Sequence, residues 1–166
     1  MGQRIRDDGE TAKLWDLIKD ITVAMMTTMD ENDVLRSRPM AINQNRFDGE
    51  LWFFTYASSH KVLEVRKHQA VNVSFAEPED QHYVSVSGTA ELVRDKAKAK
   101  ELWNEYLRTW FPKGLDDPDL ALIKVTVEQA EYWDSPSSAV VHAVGYVKSL
   151  VTGEPPKMGE NKKLNF

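Results

Sequence analysis

The sequence predicts a mainly β fold with helical additions, of the α+β class, in which about six antiparallel strands form a barrel or a sandwich. Two observations support this. Short runs rich in β-branched and aromatic residues recur along the chain and are separated by turn signals, whereas helical periodicity appears only near the start, in the middle and near the end. The length of 166 residues and the absence of internal repeats predict a single domain over residues 1–166.

The first half of the chain predicts one helix followed by three strands. Apolar residues at helical spacing favour an amphipathic helix at Glu10–Asp20. The next two segments, Ile21–Met29 and Val34–Asn43, have the composition and alternation of strands and flank a polar turn, which predicts a hairpin. A second hairpin signal, Asp48-Gly49, precedes the aromatic segment Leu51–Tyr56, so we expect a third strand paired with the second.

The second half predicts three more strands and three more segments of helix. The strands are Ala70–Ala76, Tyr83–Val93 and Leu122–Val127. The helices are a short one that opens at Ser58, then Asp95–Leu107 and Ser137–Val151. Within the long fifth strand, Gly88 indicates a bulge or a bend of a barrel. We expect residues 108–119 to form a loop and residues 155–166 to form an irregular C-terminal tail.

Composition excludes several classes of site and partner. The chain has no cysteine, which removes disulfides, thiolate metal sites and cysteine nucleophiles. A formal charge of −5 argues against nucleic acid as a partner, since phosphate backbones require a basic surface. Uncharged runs such as Ser135–Val147 are too short to span a membrane, and the N-terminus has no apolar signal region. We therefore expect a soluble, cytoplasmic protein.

The segment from Trp52 to Lys61, WFFTYASSHK, is the most informative in the chain. It takes a predicted strand into the first turn of a predicted helix, where free backbone N–H groups and the helix dipole favour an anion. Thr55 and Ser59 add hydroxyl groups, and Lys61 adds a positive charge. This is the equipment that a phosphate monoester needs. The alternative is that a serine only caps the helix and that Lys61 is a solvated surface residue.

Two arginines favour the anion site. Arg36 and Arg38 lie on one face of the second predicted strand, so both could bind an anion at the neighbouring junction through forked hydrogen bonds. The alternative places them on an exposed outer face of the barrel. It is weaker for Arg38, which is followed by Pro39 and Met40.

Aromatic and titratable residues outside this segment add less. Among five tryptophans, Trp110 and Trp133 fall in predicted irregular segments and are candidates to cover a planar ligand, although packing is the commoner role. The four histidines lack the spacing of metal ligands, so no metal site is predicted. Motifs for hydrolases, P-loops and dinucleotide folds are missing. No general acid or base is identified, and the catalytic residues are unknown.

Taken in order, several motifs resemble a known family. RSRPM, FFTYASSHK, VSVSGTAEL and EYWD are similar to the FMN-binding split barrels of the pyridoxamine 5′-phosphate oxidase superfamily. The segments WFPKGLDDPDL and LVTGEPPKMGENKKLNF resemble its general stress protein 26 branch. The likeness runs from about Thr11 to the end of the chain. It implies a six-stranded antiparallel split β-barrel with FMN as cofactor, in a homodimer whose two flavin sites lie at the subunit interface.

The resemblance also implies roles for individual residues. Those that correspond to cofactor-binding positions of the family are Arg38, Pro39, Met40, Phe54, Thr55, Ser59, His60, Lys61 and Trp133. Ser59, His60 and Lys61 match its phosphate-binding triplet, with His60 replacing a more usual arginine. Trp133 matches a tryptophan that reaches the flavin of the partner subunit.

Three departures from the family bear on function. No basic residue lies between Met40 and Arg46, where the oxidases place a flavin-binding lysine, and Tyr83 replaces a glutamine. The Arg-x-His segment that holds pyridoxine phosphate is missing after Trp133. The resemblance therefore implies a flavin-dependent oxidoreductase of undefined substrate and reductant. The alternatives are a non-catalytic flavin-binding or flavin-buffering stress protein, a true pyridoxamine phosphate oxidase and a haem-handling relative.

Overall fold

The computed structural model describes residues 8–136, 139–155 and 159–166. Its helices are α1 (Asp8–Ile18), α2 (His60–Lys67), α3 (Lys96–Leu102) and α4 (Ala139–Thr152), with two short 3₁₀-helices at Glu105–Thr109 and Gly114–Asp116. Its strands are β1 (Val23–Met29), β2 (Leu35–Ala41), β3 (Glu50–Tyr56), β4 (Ala70–Glu77), β5 (His82–Val93), β6 (Leu120–Asp134) and β7 (Glu160–Asn165). None of these helices is long and apolar enough to cross a lipid bilayer.

The strands form one antiparallel sheet that curls into a half-barrel. Their order is β2-β1-β4-β5-β6-β3, and β7 pairs with β6. β1 and β2 form the predicted hairpin, with Met26 opposite Arg38. The predicted pairing of the second strand with the third was wrong: β3 pairs with β6, with Phe54 opposite Leu122. β2 and β3 are thus the two edges of the sheet, and the barrel is split between them, which confirms the predicted split-barrel fold.

The C-terminal segment corrects the sequence prediction. Residues 160–165, expected to be part of an irregular tail, form β7, so the sheet has seven strands rather than six. β7 continues along the edge of β6 beyond β3, and its Leu164 is buried at 2% exposure. The sequence of this segment is rich in turn residues and lysines. It has no hydrophobic alternation typical of a strand, because only one of its side chains enters the core.

Two other predicted boundaries moved. The predicted helix Asp95–Leu107 ends at Leu102, although Asp95 caps it as expected by accepting the N–H of Lys98. The last predicted strand is much longer than Leu122–Val127 and includes Trp133, which was expected in an irregular segment. The register shift at Gly88 confirms the predicted bulge. A Cβ at Gly88 would lie 2.1 Å from the carbonyl oxygen of Thr126, so only glycine allows this approach.

Two apolar clusters fix the positions of the helices. The main core lies inside the half-barrel, where α1 inserts Leu14 and Ile18 and α2 inserts Val62 and Val65. A second, smaller cluster lies beside β3 and joins it to the segment between β5 and β6. Its buried members are Phe54, Leu102, Leu107, Phe111 and Leu122. The N-terminus of α2 and this second cluster meet at the split in the barrel.

Candidate functional site

A cavity of about 390 Å³ lies at the split between β2 and β3. Its volume falls within the range of roughly 300–1,000 Å³ that is usual for small-molecule sites. The lining is largely apolar, and Lys61 is its only charged residue among those described. The residues that line it are Val23, Pro39, Met40, Ala41, Phe54, Thr55, Tyr56, Lys61, Leu107, Trp110 and Phe111.

One wall of the cavity is aromatic and comes from the segment that links α3 to β6. Phe111 packs against Tyr56 with their ring centroids 5.1 Å apart, and against Phe54 at 6.1 Å. The hydroxyl of Tyr56 donates a hydrogen bond of 3.1 Å to the carbonyl oxygen of Trp110. Trp110 keeps 46% of its surface exposed at the rim, where Tyr106 meets it edge to face. This wall can accommodate a flat, apolar ring.

A charged cluster lies next to the same cavity. Arg38 forms an ion pair with Glu64, with 2.7 Å between Nη2 and Oε2. The same guanidinium donates through Nη1 to the hydroxyl of Thr28 at 2.5 Å, and that hydroxyl donates to Glu64. Thr28 is buried at 1% exposure, so the three groups form a fixed network beneath the cavity edge. Arg38 is therefore held in place rather than free to follow a ligand.

Lys61 adds a second positive charge to this cluster. Burial lowers the pKa of its ammonium group, and the neighbouring charge of Arg38 lowers it further, while Glu64 opposes both effects. No carboxylate in the described part of the chain forms an ion pair with Lys61. Two cations and one carboxylate leave the cluster with one net positive charge beside the cavity. Such an arrangement favours an anion, because an anion would compensate the charge of Lys61.

The start of α2 supplies neutral donors to the same place. Ser59 is the N-cap residue, but its side chain makes no capping hydrogen bond. Instead its hydroxyl lies 3.1 Å from that of Thr55. In the described residues, no acceptor is found for the backbone N–H groups of His60 and Lys61. These N–H groups, the hydroxyl of Ser59 and the ammonium of Lys61 are the donors available to an anion.

A residue that sequence reasoning missed holds this junction in shape. Asp119 accepts the N–H of Ala57 with its carbonyl oxygen at 2.8 Å, and the N–H of Ser58 with Oδ1 at 3.1 Å. Its Oδ2 accepts the hydroxyl of Ser58 at 2.5 Å. The sequence offered no signal for this contact, because it depends on the pairing of β3 with β6.

The structure brings most of the predicted site residues together. Five of the nine line the cavity: Pro39, Met40, Phe54, Thr55 and Lys61. Arg38 and Ser59 lie at its charged end, as described above. His60 instead faces a separate groove that it shares with Arg36 and Lys67. Trp133 does not line the cavity of its own chain.

The position of Trp133 follows from the length of β6. Leu122 lies opposite Phe54, and Trp133 follows eleven residues later on the same strand, opposite Tyr83 of β5. Tyr83 in turn pairs with Ala76 of β4, and β4 pairs with β1, the strand that brings Val23 to the cavity. Trp133 and Val23 are therefore three strands apart across the sheet, roughly 14 Å at about 4.8 Å per strand.

Comparison with known proteins identifies the family. Residues 9–157 match the family described as pyridoxamine 5′-phosphate oxidase like. The chain belongs to this family. The prediction drawn from the ordered motifs is therefore confirmed. A relative from Neurospora crassa, the protein bli-3, is 28% identical over 152 residues, which cover 86% of this chain and 73% of the relative.

Solved structures agree on the fold. A candidate general stress protein 26 from Jannaschia has a TM-score of 0.74 at 24% identity, and the match covers 95% of this chain and 99% of that one. The general stress FMN/FAD binding protein from Xanthomonas citri has a TM-score of 0.66 at 27% identity, covering 77% of this chain and 90% of that one. Both belong to the general-stress group that the C-terminal motifs resemble.

Proposed function

We propose that this chain binds FMN at the split in its barrel and acts as a flavin-dependent oxidoreductase in a homodimer. The observation that carries the proposal is the positive charge of Lys61, which forms no ion pair within the described residues, at one end of an apolar, aromatic-walled cavity. A flavin mononucleotide has the matching shape, since it joins a flat ring to a phosphate monoester. The FMN/FAD binding protein from Xanthomonas citri, a relative at 27% identity, supports a flavin as the ligand.

The residues present fit the two ends of FMN. The phosphate would meet Lys61, the hydroxyl of Ser59 and the free N–H groups that begin α2. The ring would lie towards Met40 and Phe54, both cavity-lining residues, with the aromatic wall beside it. Arg38 would assist by its charge, because its hydrogen bonds are already directed to Thr28 and Glu64.

The redox chemistry would belong to the bound cofactor, which can accept and pass on electrons as a flavin does. The chain would bind the phosphate, orient the ring and keep water from one side of it. Positive charge at the phosphate end favours an anionic ligand. No carboxylate or histidine occurs among the described cavity-lining residues, whose titratable side chains are Tyr56 and Lys61.

The homodimer is supported by exposed apolar side chains on the outer face of the sheet. Val23, beside Ala41 at the cavity rim, is 46% exposed, and Met25 next to it is 41% exposed. On the far strands, Tyr83 and Trp133 lie opposite each other and are 39% and 40% exposed. A two-fold partner packed on this face would bury these side chains. It could also bring its own Trp133 to the cavity.

A non-catalytic flavin carrier is the second candidate. The observation that favours it is the lack of a carboxylate or histidine in the described cavity lining. Its titratable side chains are Tyr56, which already donates to the carbonyl oxygen of Trp110, and Lys61, which the phosphate would occupy. A carrier needs the phosphate site and the ring site but no substrate site. The two candidates therefore share the cavity and differ in whether the bound flavin reacts with a reductant.

An absorbance experiment separates these possibilities. The purified protein, loaded with FMN, is mixed anaerobically with NADH or NADPH while the flavin bands are recorded. Bands that bleach within seconds support the oxidoreductase, and bands that persist with both reductants support the carrier. A protein that neither retains FMN on purification nor binds it on titration contradicts both. A Soret band would indicate haem.

A further inference from the structure

The anion-binding junction is held by a residue from a different part of the chain. Between Tyr56, the last residue of β3, and α2, the chain turns through Ala57, Ser58 and Ser59. All three of their backbone N–H groups are used: the first two donate to Asp119 and the third donates to the carbonyl oxygen of Tyr56. The donors left for a ligand therefore begin one residue later, at the start of α2.

Asp119 is well placed to fix this turn. It immediately precedes β6, whose first residues pair with the end of β3, so its backbone is tied to the sheet. Its own N–H donates to a carboxylate oxygen of Asp117 at 2.9 Å, which orients the residue from the other side. Three hydrogen bonds then run from the turn to this one residue, two to its carboxylate and one to its carbonyl oxygen.

We propose that Asp119 is a positioning residue for the phosphate site. This inference rests on the proposed function. By fixing Ser58, the carboxylate sets the direction in which Ser59 and the first turn of α2 present their donors. Asp119 makes this contribution despite its charge, since a carboxylate near a phosphate is electrostatically unfavourable.

Asp119 should affect the affinity for FMN in two opposite ways. Its negative charge repels the phosphate, whereas its hydrogen bonds position the turn that carries the donors, and this opposition makes the inference testable. If only charge mattered, removal of the carboxylate would strengthen FMN binding. If the carboxylate positions the turn, its removal weakens FMN binding, because the donors no longer converge. Riboflavin, which lacks the phosphate, reports on the ring site alone. The ratio of the two affinities is therefore the quantity to measure.

The experiment titrates the full-length protein and its variants with FMN and with riboflavin by fluorescence quenching. We expect Asp119→Ala to weaken FMN by about tenfold, the equivalent of one lost hydrogen-bonding interaction, and riboflavin by less than about twofold. Asp119→Asn keeps an oxygen for the N–H of Ser58 and an amide group that can donate to its hydroxyl, so FMN should stay within about threefold of wild type. The matched control is Asp116→Ala, which removes the same charge from an exposed site three residues away.

Three results would overturn the inference: equal or tighter FMN binding by Asp119→Ala, an equal loss of FMN and riboflavin, or a similar loss in Asp116→Ala. Should Asp119→Ala not fold, Ser58→Ala removes only the hydroxyl bond and should weaken FMN selectively by about twofold to threefold. No selective loss there contradicts the inference as well. A wild-type protein that does not bind FMN refutes the proposed function, whereas normal binding by Asp119→Ala beside weak binding by Lys61→Ala refutes only this inference.

Discussion

Lys61 and Arg38 are neighbouring cations at one end of the cavity, and among the described residues only Arg38 forms an ion pair with a carboxylate there. Burial first, and the charge of Arg38 second, lower the pKa of the Lys61 ammonium from its ordinary value of 10.5. Glu64 pairs with Arg38 at 2.7 Å and compensates Lys61 only in part. The ligand-free protein therefore maintains a charge that a bound anion would stabilise. A partly buried charge without an ion-pair partner lowers the stability of the folded protein, and functional sites often contain groups that do so.

The first prediction concerns the stability of the ligand-free protein. Between the lowered pKa of Lys61 in the folded protein and 10.5 in the unfolded chain, the unfolded chain binds more protons. The contribution of Lys61 to the free energy of unfolding should therefore increase as pH rises through that window. Lys61→Met should unfold at a higher denaturant concentration than wild type below the window, and the difference should shrink within it.

Denaturant unfolding at several pH values measures this effect. The matched control is Lys100→Met, which removes an exposed lysine of α3. Its free energy of unfolding should stay within about 0.5 kcal/mol of wild type. A Lys61→Met protein that is less stable than wild type at neutral pH would show that Lys61 stabilises the folded chain, contrary to this account.

The second prediction concerns Trp133. In the proposed homodimer Trp133 completes the cavity of the partner subunit, so Trp133→Ala and Lys61→Ala should damage the same flavin site from two different subunits. Mixed dimers of the two variants then contain one intact site and one doubly damaged site. After random reassortment, half of the dimers are mixed, so about a quarter of all sites should regain wild-type FMN affinity.

Unfolding and refolding the two variants together, followed by FMN titration, tests this prediction. Refolding each variant alone is the control and should give no high-affinity sites. Light scattering should report a dimer for the wild type. Mixed samples without any recovered sites, or a wild-type mass of one chain at micromolar concentration, would contradict a shared site.

The third prediction is that the protein is a poor pyridoxamine phosphate oxidase. A phosphorylated substrate needs a cationic clamp of its own, and Lys61 is the only charged residue among the described residues that line the cavity. FMN would already use it. Aerobic incubation of the FMN-loaded protein with pyridoxamine phosphate should give pyridoxal phosphate far more slowly than about one turnover per second, a usual enzyme rate. Turnover at that rate is the contrary result.

The fourth prediction tests the C-terminal strand. Leu164 of β7 is buried among core residues, so Leu164→Ala should reduce the free energy of unfolding by about 2–4 kcal/mol. Its neighbour Lys163 is exposed, and Lys163→Ala should change stability by less than about 0.5 kcal/mol. Chemical denaturation of both variants measures the difference. Equal stability of the two variants would mean that β7 does not contribute to the core.

Much of the fold could be predicted because local patterns and tertiary structure agree. The β1–β2 hairpin, the bulge at Gly88 and the strand-to-helix junction before Lys61 are all encoded by nearby residues. The partner of β3 was missed because strand pairing between distant segments leaves no local signal. β7 was missed because a short strand with one buried residue has little hydrophobic pattern of its own.

The candidate site shows the same division. Residues that line the cavity, such as Phe54 and Lys61, were found because they lie in one motif. Glu64 and Thr28, which hold Arg38, were not singled out, although Glu64 lies only one helical turn from Lys61. Asp119 could not be found, since it meets Ser58 only after β3 and β6 have paired.

The central claim is that the charge of Lys61 binds the phosphate of FMN, and titration with two flavins tests it most directly. Wild-type protein should bind FMN much more tightly than riboflavin. Lys61→Ala should weaken FMN by about tenfold to a hundredfold, because a charge-assisted hydrogen bond contributes about 1.5–3 kcal/mol, and should leave riboflavin nearly unchanged. If Lys61→Ala binds FMN as tightly as wild type, or loses both flavins equally, the phosphate does not lie at Lys61 and the account is wrong.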